Sequence, residues 1–311
     1  MSNSTPKVVA FGGGHGLAAT LTALRDVTPT ITAVVTVADN GGSSGKIREE
    51  FNFLPPGDLR MALAALCGSD AWGQRWAQII QHRFNTSGDL NGHALGNLLM
   101  AALWDSSDDL VAGIDRVGDL LKIVGRVLPM SLEPLEIEGV FETSSGEQTI
   151  RGQIEVATAK GKLKSLKLLP ENPVVTPQVI QAISEADWLV FGPGSWFSSV
   201  MPHFLLKDLA KAVSQSSAKK IVILNLQGPD NADEFAGNTP EAHLKLVLSH
   251  LPSFKLDIAI ADPSVLGSAS RLEELVKDLG GEVIVSDVAR EQDRNHHDPR
   301  KMSLLFSHIF H

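Results

Sequence analysis

The chain has 311 residues, of which 43% are hydrophobic and 20% are charged, and this suits a large α/β domain with a substantial core. A formal net charge of −9 argues against general binding to nucleic acids or membrane surfaces. The lone Cys67 excludes an internal disulfide and a cysteine-rich metal site. Because neither a signal-peptide pattern nor a run of about 18 apolar residues is present, we expect a cytoplasmic protein without a membrane span.

Short, β-rich apolar runs alternate with helical patterns along most of the chain. The runs predict buried strands at Val8–Phe11, Val34–Val37, Trp188–Phe191, Ile221–Leu226, Ile258–Ile260 and Val283–Val285. The helical patterns lie at 17–25, 59–66, 72–82, 95–103, 110–121, 177–185, 204–215, 240–249, 270–279 and 301–310. This alternation predicts an α/β fold with a doubly wound, mainly parallel sheet and right-handed crossovers.

The stretch from about 135 to 169 breaks this alternation. Its apolar and polar residues alternate, and Ser144-Ser145-Gly146 and Lys160-Gly161-Lys162 are turn signals. The pattern predicts a small antiparallel meander of about three strands, either appended to the sheet or forming its edge. We therefore expect a single domain, 7–311, that carries this antiparallel insertion.

A glycine-rich turn follows the first predicted strand. Glycines allow the backbone to approach a phosphate closely, and the helix that follows presents free N–H groups and the positive end of its dipole. The third glycine of the dinucleotide fingerprint would fall at a leucine, which disfavours an NAD-dependent enzyme, and the Gly-Lys-Ser/Thr of a P-loop is absent. The candidate phosphate-binding residues are Gly12, Gly13, Gly14, His15, Gly16 and Leu17.

A second polar turn follows the second predicted strand. Asp39 and Asn40 are suited to hold ribose or sugar hydroxyls, and Asp39 is also suited to hold a metal through oxygen. Ser43 and Ser44 are suited to donate to phosphate. The alternative is a solvated loop without a ligand. Because the carboxyl ends of neighbouring parallel strands share one crevice, we expect both turns to face the same ligand.

Two helix starts carry further polar candidates. Asp58 either caps the helix at 59–66 or lies in the crevice as a metal or substrate ligand, with Arg60 near a phosphate. His93 and Asn97 are four residues apart, which predicts that they share one face of a helix.

Later strands also end in polar turns. Gly192, Gly194 and Ser195 follow one strand and form a second candidate anion site. Asn225 and Gln227 follow the next strand and are suited to contact a base or a sugar. The His296-His297-Asp298 segment has the composition of a zinc site, but adjacent residues rarely face one ion, so zinc is disfavoured.

Taken in order, these motifs resemble those of the CofD-like superfamily and, within it, more closely those of the YvcK-type gluconeogenesis factors. The resemblance spans residues 7 to 298 and rests on the turns at 12–17, 37–45, 55–60, 93–98 and 191–195. The sequence departs from the family pattern at three of these positions. His15 and Gly92 stand where we expect threonine, and Asn40 stands where a second acid is common.

The resemblance implies a Rossmann-like core and a function. The YvcK-type branch implies a cytoplasmic protein that binds UDP-sugars such as UDP-N-acetylglucosamine and supports cell shape and wall synthesis during growth on gluconeogenic carbon sources. The alternative is the CofD branch, a transferase that moves a phospholactyl group to the deazaflavin Fo in coenzyme F420 synthesis, with magnesium. In that case Asp39 and Asp58 would hold the magnesium ion and His93 would orient the acceptor.

We favour the first interpretation, a nucleotide-sugar sensor that needs no cofactor, over an enzyme. Arg300, next to the 296–298 segment, is expected to close over the ligand. A regulatory protein partner would detect the ligand-bound state, and a homodimer is left open. Neither nucleic acid nor a membrane is an expected partner.

Overall fold

The computed structural model describes residues 5–107, 109–226, 240–266 and 271–310. Among these residues, seven strands form one sheet in the order β10-β9-β8-β7-β1-β2-β3, and every neighbouring pair is parallel. The strands are β1 (Val8–Gly12), β2 (Ile31–Val35), β3 (Arg126–Pro129), β7 (Trp188–Phe191), β8 (Lys219–Ile223), β9 (Ile258–Ala261) and β10 (Glu282–Val285). The predicted doubly wound, mainly parallel sheet is confirmed.

Helices cover both faces of this sheet. Because both faces of the central strands β1 and β7 are therefore buried, these strands are apolar along their whole length. The helices are α1 (Gly14–Arg25), α2 (Gly42–Phe51), α3 (Pro56–Leu66), α4 (Ala71–Gln81), α5 (Leu95–Asp105), α6 (Leu110–Leu121), α7 (Gln153–Ala157), α8 (Pro177–Glu185), α9 (Met201–Leu205), α10 (Lys207–Gln215), α11 (Pro240–His250), α12 (Leu272–Asp278) and α13 (Pro299–Ile309). Within the described ranges, none of them combines the length and the apolar character needed to cross a bilayer.

The predicted meander forms a separate antiparallel sheet. Its strands β4 (Glu136–Thr143), β5 (Gly146–Arg151) and β6 (Lys162–Leu169) are arranged in the order β5-β4-β6. The buried Phe141 of β4 meets Phe197 of the main domain at a ring-centroid distance of 6.3 Å. The insertion is thus an appended sheet rather than an edge of the parallel one.

Four elements differ from the sequence prediction. Strand β3 was missed because its apolar run is only two residues, Val127 and Leu128. Helix α2 occupies a stretch predicted as a turn, and α7 interrupts the meander. The helix predicted at 204–215 is divided at Leu206, whose backbone is extended, with φ −75° and ψ 109°.

Candidate functional site

The first glycine turn lies where the strand order reverses. The chain runs from β1 to β2 and β3 on one side, whereas β7, on the other side of β1, leads to β8, β9 and β10. The turn after β1 and the loop after β7 therefore meet at this switch point, where open α/β sheets bind ligands. The turn and the loop pack so closely that a β-carbon on Gly16 would lie 2.1 Å from the carbonyl oxygen of Pro193.

A cavity of about 760 Å³ opens beside these two turns. Its charged or titratable lining consists of Arg290, His15, His296 and His297, and no Asp or Glu is found among the described residues that line it. This composition is notable in a chain with a net charge of −9. Seven predicted ligand residues line the cavity, namely Gly13, Gly14, His15, Gly16, Gly194, Ser195 and Asn225.

Helix α1 begins at this cavity without a side-chain cap. Gly13 at the N-cap has extended backbone, and Gly14 has φ +58°, a conformation that favours glycine. The first N–H groups of a helix have no acceptor within the helix, and the helix dipole adds positive potential there. Leu17 lies one turn into α1 with its side chain buried under Gly12, so it supports the turn from inside the core.

The loop after β7 is fixed by its own side chains. The Ser195 Oγ accepts hydrogen bonds from the backbone N–H of Ser198 (3.1 Å) and from the Ser198 hydroxyl (2.6 Å). Asn225 at the end of β8 clamps Gly194, because its Oδ1 accepts from the Gly194 N–H (2.9 Å) and its Nδ2 donates to the Gly194 carbonyl (2.8 Å). Gly192 has φ +74° and lies behind the cavity wall. Gln227 lies outside the described residues.

The C-terminal segment completes the cavity wall. His15 and His296 meet edge to face at 6.4 Å, and the His296 Nδ1 lies 2.7 Å from the Asp293 carboxylate. Burial, His296 and nearby arginines lower the pKa of His15. The buried His297 bonds to the Leu224 carbonyl at 3.2 Å, and burial lowers its pKa to about 4, so it is neutral at pH 7.

The arginine in the cavity wall is Arg290, which the sequence prediction did not include. Arg300 is exposed in the first turn of α13, and its side chain does not line the cavity. In the sequence, the only indication that Arg290 belongs to the site was the polar character of the 290–300 segment. No spacing within that segment distinguishes one arginine from the other.

A second polar group lies at the same edge of the sheet, beside β2. Asp58 belongs to the first turn of α3, whose N-cap is Pro55, so the capping alternative for Asp58 is wrong. Instead its carboxyl group accepts a hydrogen bond from the backbone of Gly14, and its Oδ2 is shielded from solvent without a partner. Burial, reinforced by the Asp39 carboxylate, raises the pKa of Asp58 to about 7.

The Asp39–Asp58 pair suits a magnesium ion. Asp39 Oδ1 accepts from the Gly41 N–H at 2.9 Å, and its Oδ2 would lie 2.9 Å from a β-carbon on Gly57. The described residues contain no cluster of three or more His, Cys, Asp or Glu able to hold a metal. Magnesium, however, commonly binds one or two carboxylates and completes its shell with water and ligand phosphates. The unpartnered Oδ2 of Asp58 fits such a role.

Ser43 joins the predicted residues of α2 and α5. Helix α2 begins at Gly42, so Ser43 is buried in its first turn rather than displayed on a loop. Its Oγ lies 3.1 Å from the His93 Nδ1 and accepts a hydrogen bond from the Asn97 Nδ2 at 3.0 Å. His93 precedes α5, whereas Asn97 lies in the first turn of α5. The two side chains therefore do not share a helical face, as the sequence predicted, but meet at the Ser43 hydroxyl.

Two further residues tie this group to its surroundings. The Ser44 Oγ accepts from the Gly57 N–H at 3.0 Å, which joins α2 to α3. The Asn40 Nδ2 donates to the Glu155 carboxylate at 3.2 Å, which joins the second turn to α7 of the inserted sheet. The residues of this second polar group that the sequence analysis predicted as ligand or metal residues do not line the cavity. They are Asp39, Asn40, Ser43, Ser44, Asp58, His93 and Asn97.

The fold and the site together define a class: a Rossmann-like α/β protein with a ligand cavity at the topological switch point of its sheet. The model of the family described as 2-phospho-L-lactate transferase CofD matches residues 8–296, and the chain belongs to this CofD family. The family predicted from the motifs is thereby confirmed.

Several similar proteins bear the name gluconeogenesis factor. A putative gluconeogenesis factor of Mycobacterium tuberculosis is 45% identical, over 98% of this chain and 90% of that relative. A gluconeogenesis factor of Listeria innocua is 34% identical, over 94% of this chain and 92% of the relative. The crystal structure of a UPF0052 family member from Bacillus halodurans has a TM-score of 0.85 and 32% identity, over 97% of this chain and 98% of that one.

Proposed function

We propose that this protein binds a nucleotide sugar of the UDP-N-acetylglucosamine type in the cavity at the switch point and acts as a sensor of that ligand. The observation that carries the proposal is the composition of the cavity wall. The cavity is lined by the glycine backbone at the start of α1, by Arg290 and by three histidines, and no described carboxylate lines it. A diphosphate is the chemical group that this combination favours.

The parts of the ligand can be assigned to parts of the site. The backbone of Gly13–Gly16 would hold the diphosphate through N–H groups other than that of Gly14, which donates to Asp58. Arg290 would balance the charge of the diphosphate. Asp39 follows β2 and does not line the cavity, so it would accept hydroxyl groups of the sugar or ribose only where the ligand extends beyond the cavity. Asn225 would act through the Gly194 loop, because both ends of its amide are bonded to that backbone.

Sensing requires that the ligand binds two states of the protein with different affinities. The inserted sheet offers a second state, because Gln153 of α7 lines the cavity while Asn40 and Glu155 connect α7 to the second turn. A ligand that contacts Gln153 would fix this sheet against the main domain. A regulatory protein partner in the cytoplasm would then detect the fixed form, linking sugar-nucleotide supply to cell-wall synthesis during gluconeogenic growth. The name gluconeogenesis factor, which the relatives bear, supports the link to gluconeogenic growth in this role.

Calorimetric titration with UDP-N-acetylglucosamine, with and without magnesium, tests the proposal. We expect micromolar binding that does not require magnesium and that is lost in Gly14→Val, because valine is strained at φ +58°. Gly88→Ala is a matched control, since a β-carbon there meets no atom within 4 Å. Absence of binding to the UDP-sugar, together with magnesium-dependent binding of a deazaflavin, would refute the sensor.

The second candidate is a CofD-type transferase that moves a phospholactyl-type group from a nucleotide-activated donor to a deazaflavin, and the shielded Oδ2 of Asp58 beside Asp39 favours it. Asp39 and Asp58 would hold magnesium, which would neutralise charge on the donor's diphosphate as its phosphoanhydride bond breaks and the nucleotide leaves. His93, fixed by Ser43, would orient the acceptor. Turnover of a nucleotide-activated donor that requires magnesium and is lost in Asp39→Asn would establish this activity instead.

A further inference from the structure

Arg60 is a buried cation that the fold leaves without an acceptor. It is 4% exposed, and its Nε and Nη1 are shielded from solvent and donate to no group in the described structure. Burial and the nearby Arg83 lower its pKa to about 10, so it stays charged at neutral pH. A desolvated guanidinium with unpaired donors is strongly destabilising, as is a charge left behind when a buried ion pair is broken. Such a group indicates a bound anion.

The two nearby carboxylates are directed elsewhere. Asp58 accepts from the Gly14 N–H, and Asp39 accepts from the Gly41 N–H. The charges of Asp58 and Asp39 act on Arg60 at a distance, in the direction that raises its pKa. No described carboxylate, however, forms an ion pair with the Arg60 guanidinium within 4 Å. The carboxylates therefore do not replace the missing acceptor.

A second unpaired group lies beside the first. Asn97 is 1% exposed, and its Oδ1 is shielded without a partner while its Nδ2 is bonded to Ser43. The stem of Arg60 crosses Gly96, the neighbour of Asn97, so closely that a β-carbon there would lie 2.8 Å from the Arg60 Cγ. An unpaired donor and an unpaired acceptor thus flank Gly96, where α5 begins near the first turn of α2.

We propose that Arg60 and Asn97 form a subsite for the phosphate group of a small phosphorylated compound. The unpaired donors of the guanidinium would bond to phosphate oxygens, and the Asn97 Oδ1 would accept from a hydroxyl group on the ligand. The N-terminal turns of α2 and α5 add N–H groups and positive potential. The inference goes beyond the nucleotide-sugar proposal, because neither side chain lines the cavity assigned to that ligand.

Phosphate binding at constant ionic strength, balanced with chloride, tests this subsite. Inorganic phosphate and glucose 6-phosphate are titrated into the wild type, Arg60→Gln, Arg60→Lys and Arg75→Gln, each with and without saturating UDP-N-acetylglucosamine. Arg75 is exposed on α4, so Arg75→Gln removes the same charge without touching the subsite. We expect the dissociation constant to rise at least tenfold in Arg60→Gln, less in Arg60→Lys, and not in Arg75→Gln.

The outcomes separate the two proposals. If the UDP-sugar does not bind but phosphate binding still depends on Arg60, the proposed function fails and the subsite stands. Equal phosphate affinity in the wild type and Arg60→Gln, or complete competition by the UDP-sugar, overturns the subsite, and so does absence of binding to both phosphate probes. Tighter binding of glucose 6-phosphate than of phosphate assigns a phosphorylated sugar as the source of the group, and the reverse assigns free phosphate.

A spectroscopic readout covers the case in which Arg60→Gln does not fold. In wild-type protein labelled with ¹⁵N, the Arg60 Nε–H resonance is assigned by its loss in Arg60→Lys. Saturable movement of this resonance with phosphate supports the subsite. A resonance that stays fixed while other arginine signals move overturns it.

Discussion

The cavity beside β1 and β7 and the polar group beside β2, α3 and α5 share one edge of the sheet but are built differently. The cavity presents backbone, histidines and, among the described residues that line it, one accessible cationic side chain, that of Arg290. The second group buries its charges, Asp58 and Arg60, and leaves polar atoms of both without partners. A site made of backbone should respond to added volume, whereas a site made of buried charge should respond to pH and to charge removal. The following predictions test this difference.

The largest effect is expected from Gly16→Ala. Alanine ordinarily favours a helix over glycine by about 1 kcal/mol. Here its β-carbon would lie 2.1 Å from the Pro193 carbonyl, so the β1 turn and the β7 loop must separate. We expect a loss of about 4 kcal/mol or more in the free energy of unfolding, measured with urea, and loss of UDP-sugar binding. Stability equal to that of the Gly88→Ala control would show that the two turns do not need this contact.

The next effect concerns Asp58 and its pKa of about 7, raised from its ordinary value of 3.8. The folded protein holds this proton more tightly than the unfolded chain, so stability is lost as pH rises from about 4 to about 7. Asp58→Asn removes that loss. We expect the variant to be similar to the wild type near pH 4 and more stable by about 2 to 4 kcal/mol at pH 8.

Urea unfolding between pH 4 and 8 measures this difference, with Asp89→Asn, an exposed aspartate, as the control. If the free energy of unfolding changed with pH in the same way in the wild type and in Asp58→Asn, burial would not be the cause of a raised pKa at Asp58. Magnesium should restore stability to the wild type above pH 7 and leave the variant unchanged, because a cation between Asp39 and Asp58 favours both carboxylates.

A smaller effect is expected from Ser43→Ala, which removes the hydroxyl shared by His93 and Asn97. His93 is half-buried and can bond to water, but the buried Asn97 would keep both of its amide ends unpaired. We expect a loss of about 1 to 3 kcal/mol in the free energy of unfolding. Ser87→Ala, at an exposed position, should change it by less than about 0.5 kcal/mol. Similar losses in both variants would mean that the Ser43 network contributes no stability.

The smallest effect is expected at the cavity, from His15→Thr. The pKa of His15 is lowered by burial, then by His296 and two arginines, and a bound diphosphate would raise it again. Affinity for UDP-N-acetylglucosamine should therefore increase as the pH falls toward 6 in the wild type. The variant should bind about threefold to tenfold more weakly at pH 6 and equally at pH 8, measured by calorimetry. A pH-independent affinity in the wild type would exclude His15 from the anion contact.

The sequence predicted the fold because the signals of the fold are local. Short apolar runs of three to six residues mark the buried parallel strands, and alternation at 135–169 marks the antiparallel sheet. The missed elements were those with weak local signals. Strand β3 has two apolar residues, and the Gly-Ser sequence that opens α2 resembles a loop until tertiary contacts bury Ser43 and Ser44.

The site could be predicted only in part, because its two halves depend on packing. The motifs placed Gly13–Gly16 and Gly194 at one crevice, and the structure brings them together. They did not show that Asp58 would bond to Gly14 or that Ser43 would join His93 to Asn97, since these partners are far apart in sequence. Nor did they distinguish Arg290 from Arg300, because Arg290 lines the cavity in a segment that folds back on itself through a bridge between Ala289 and His297.

The cavity wall is assembled from the two ends of the described chain. His15 follows the first strand, while Arg290 and His296 lie within the last 25 residues, and α13 packs on α1. During synthesis, an emerging chain thus has its glycine turn well before residues 290–296 add the opposite wall. A ribosome-bound chain stopped before residue 290 should therefore not retain the proposed ligand.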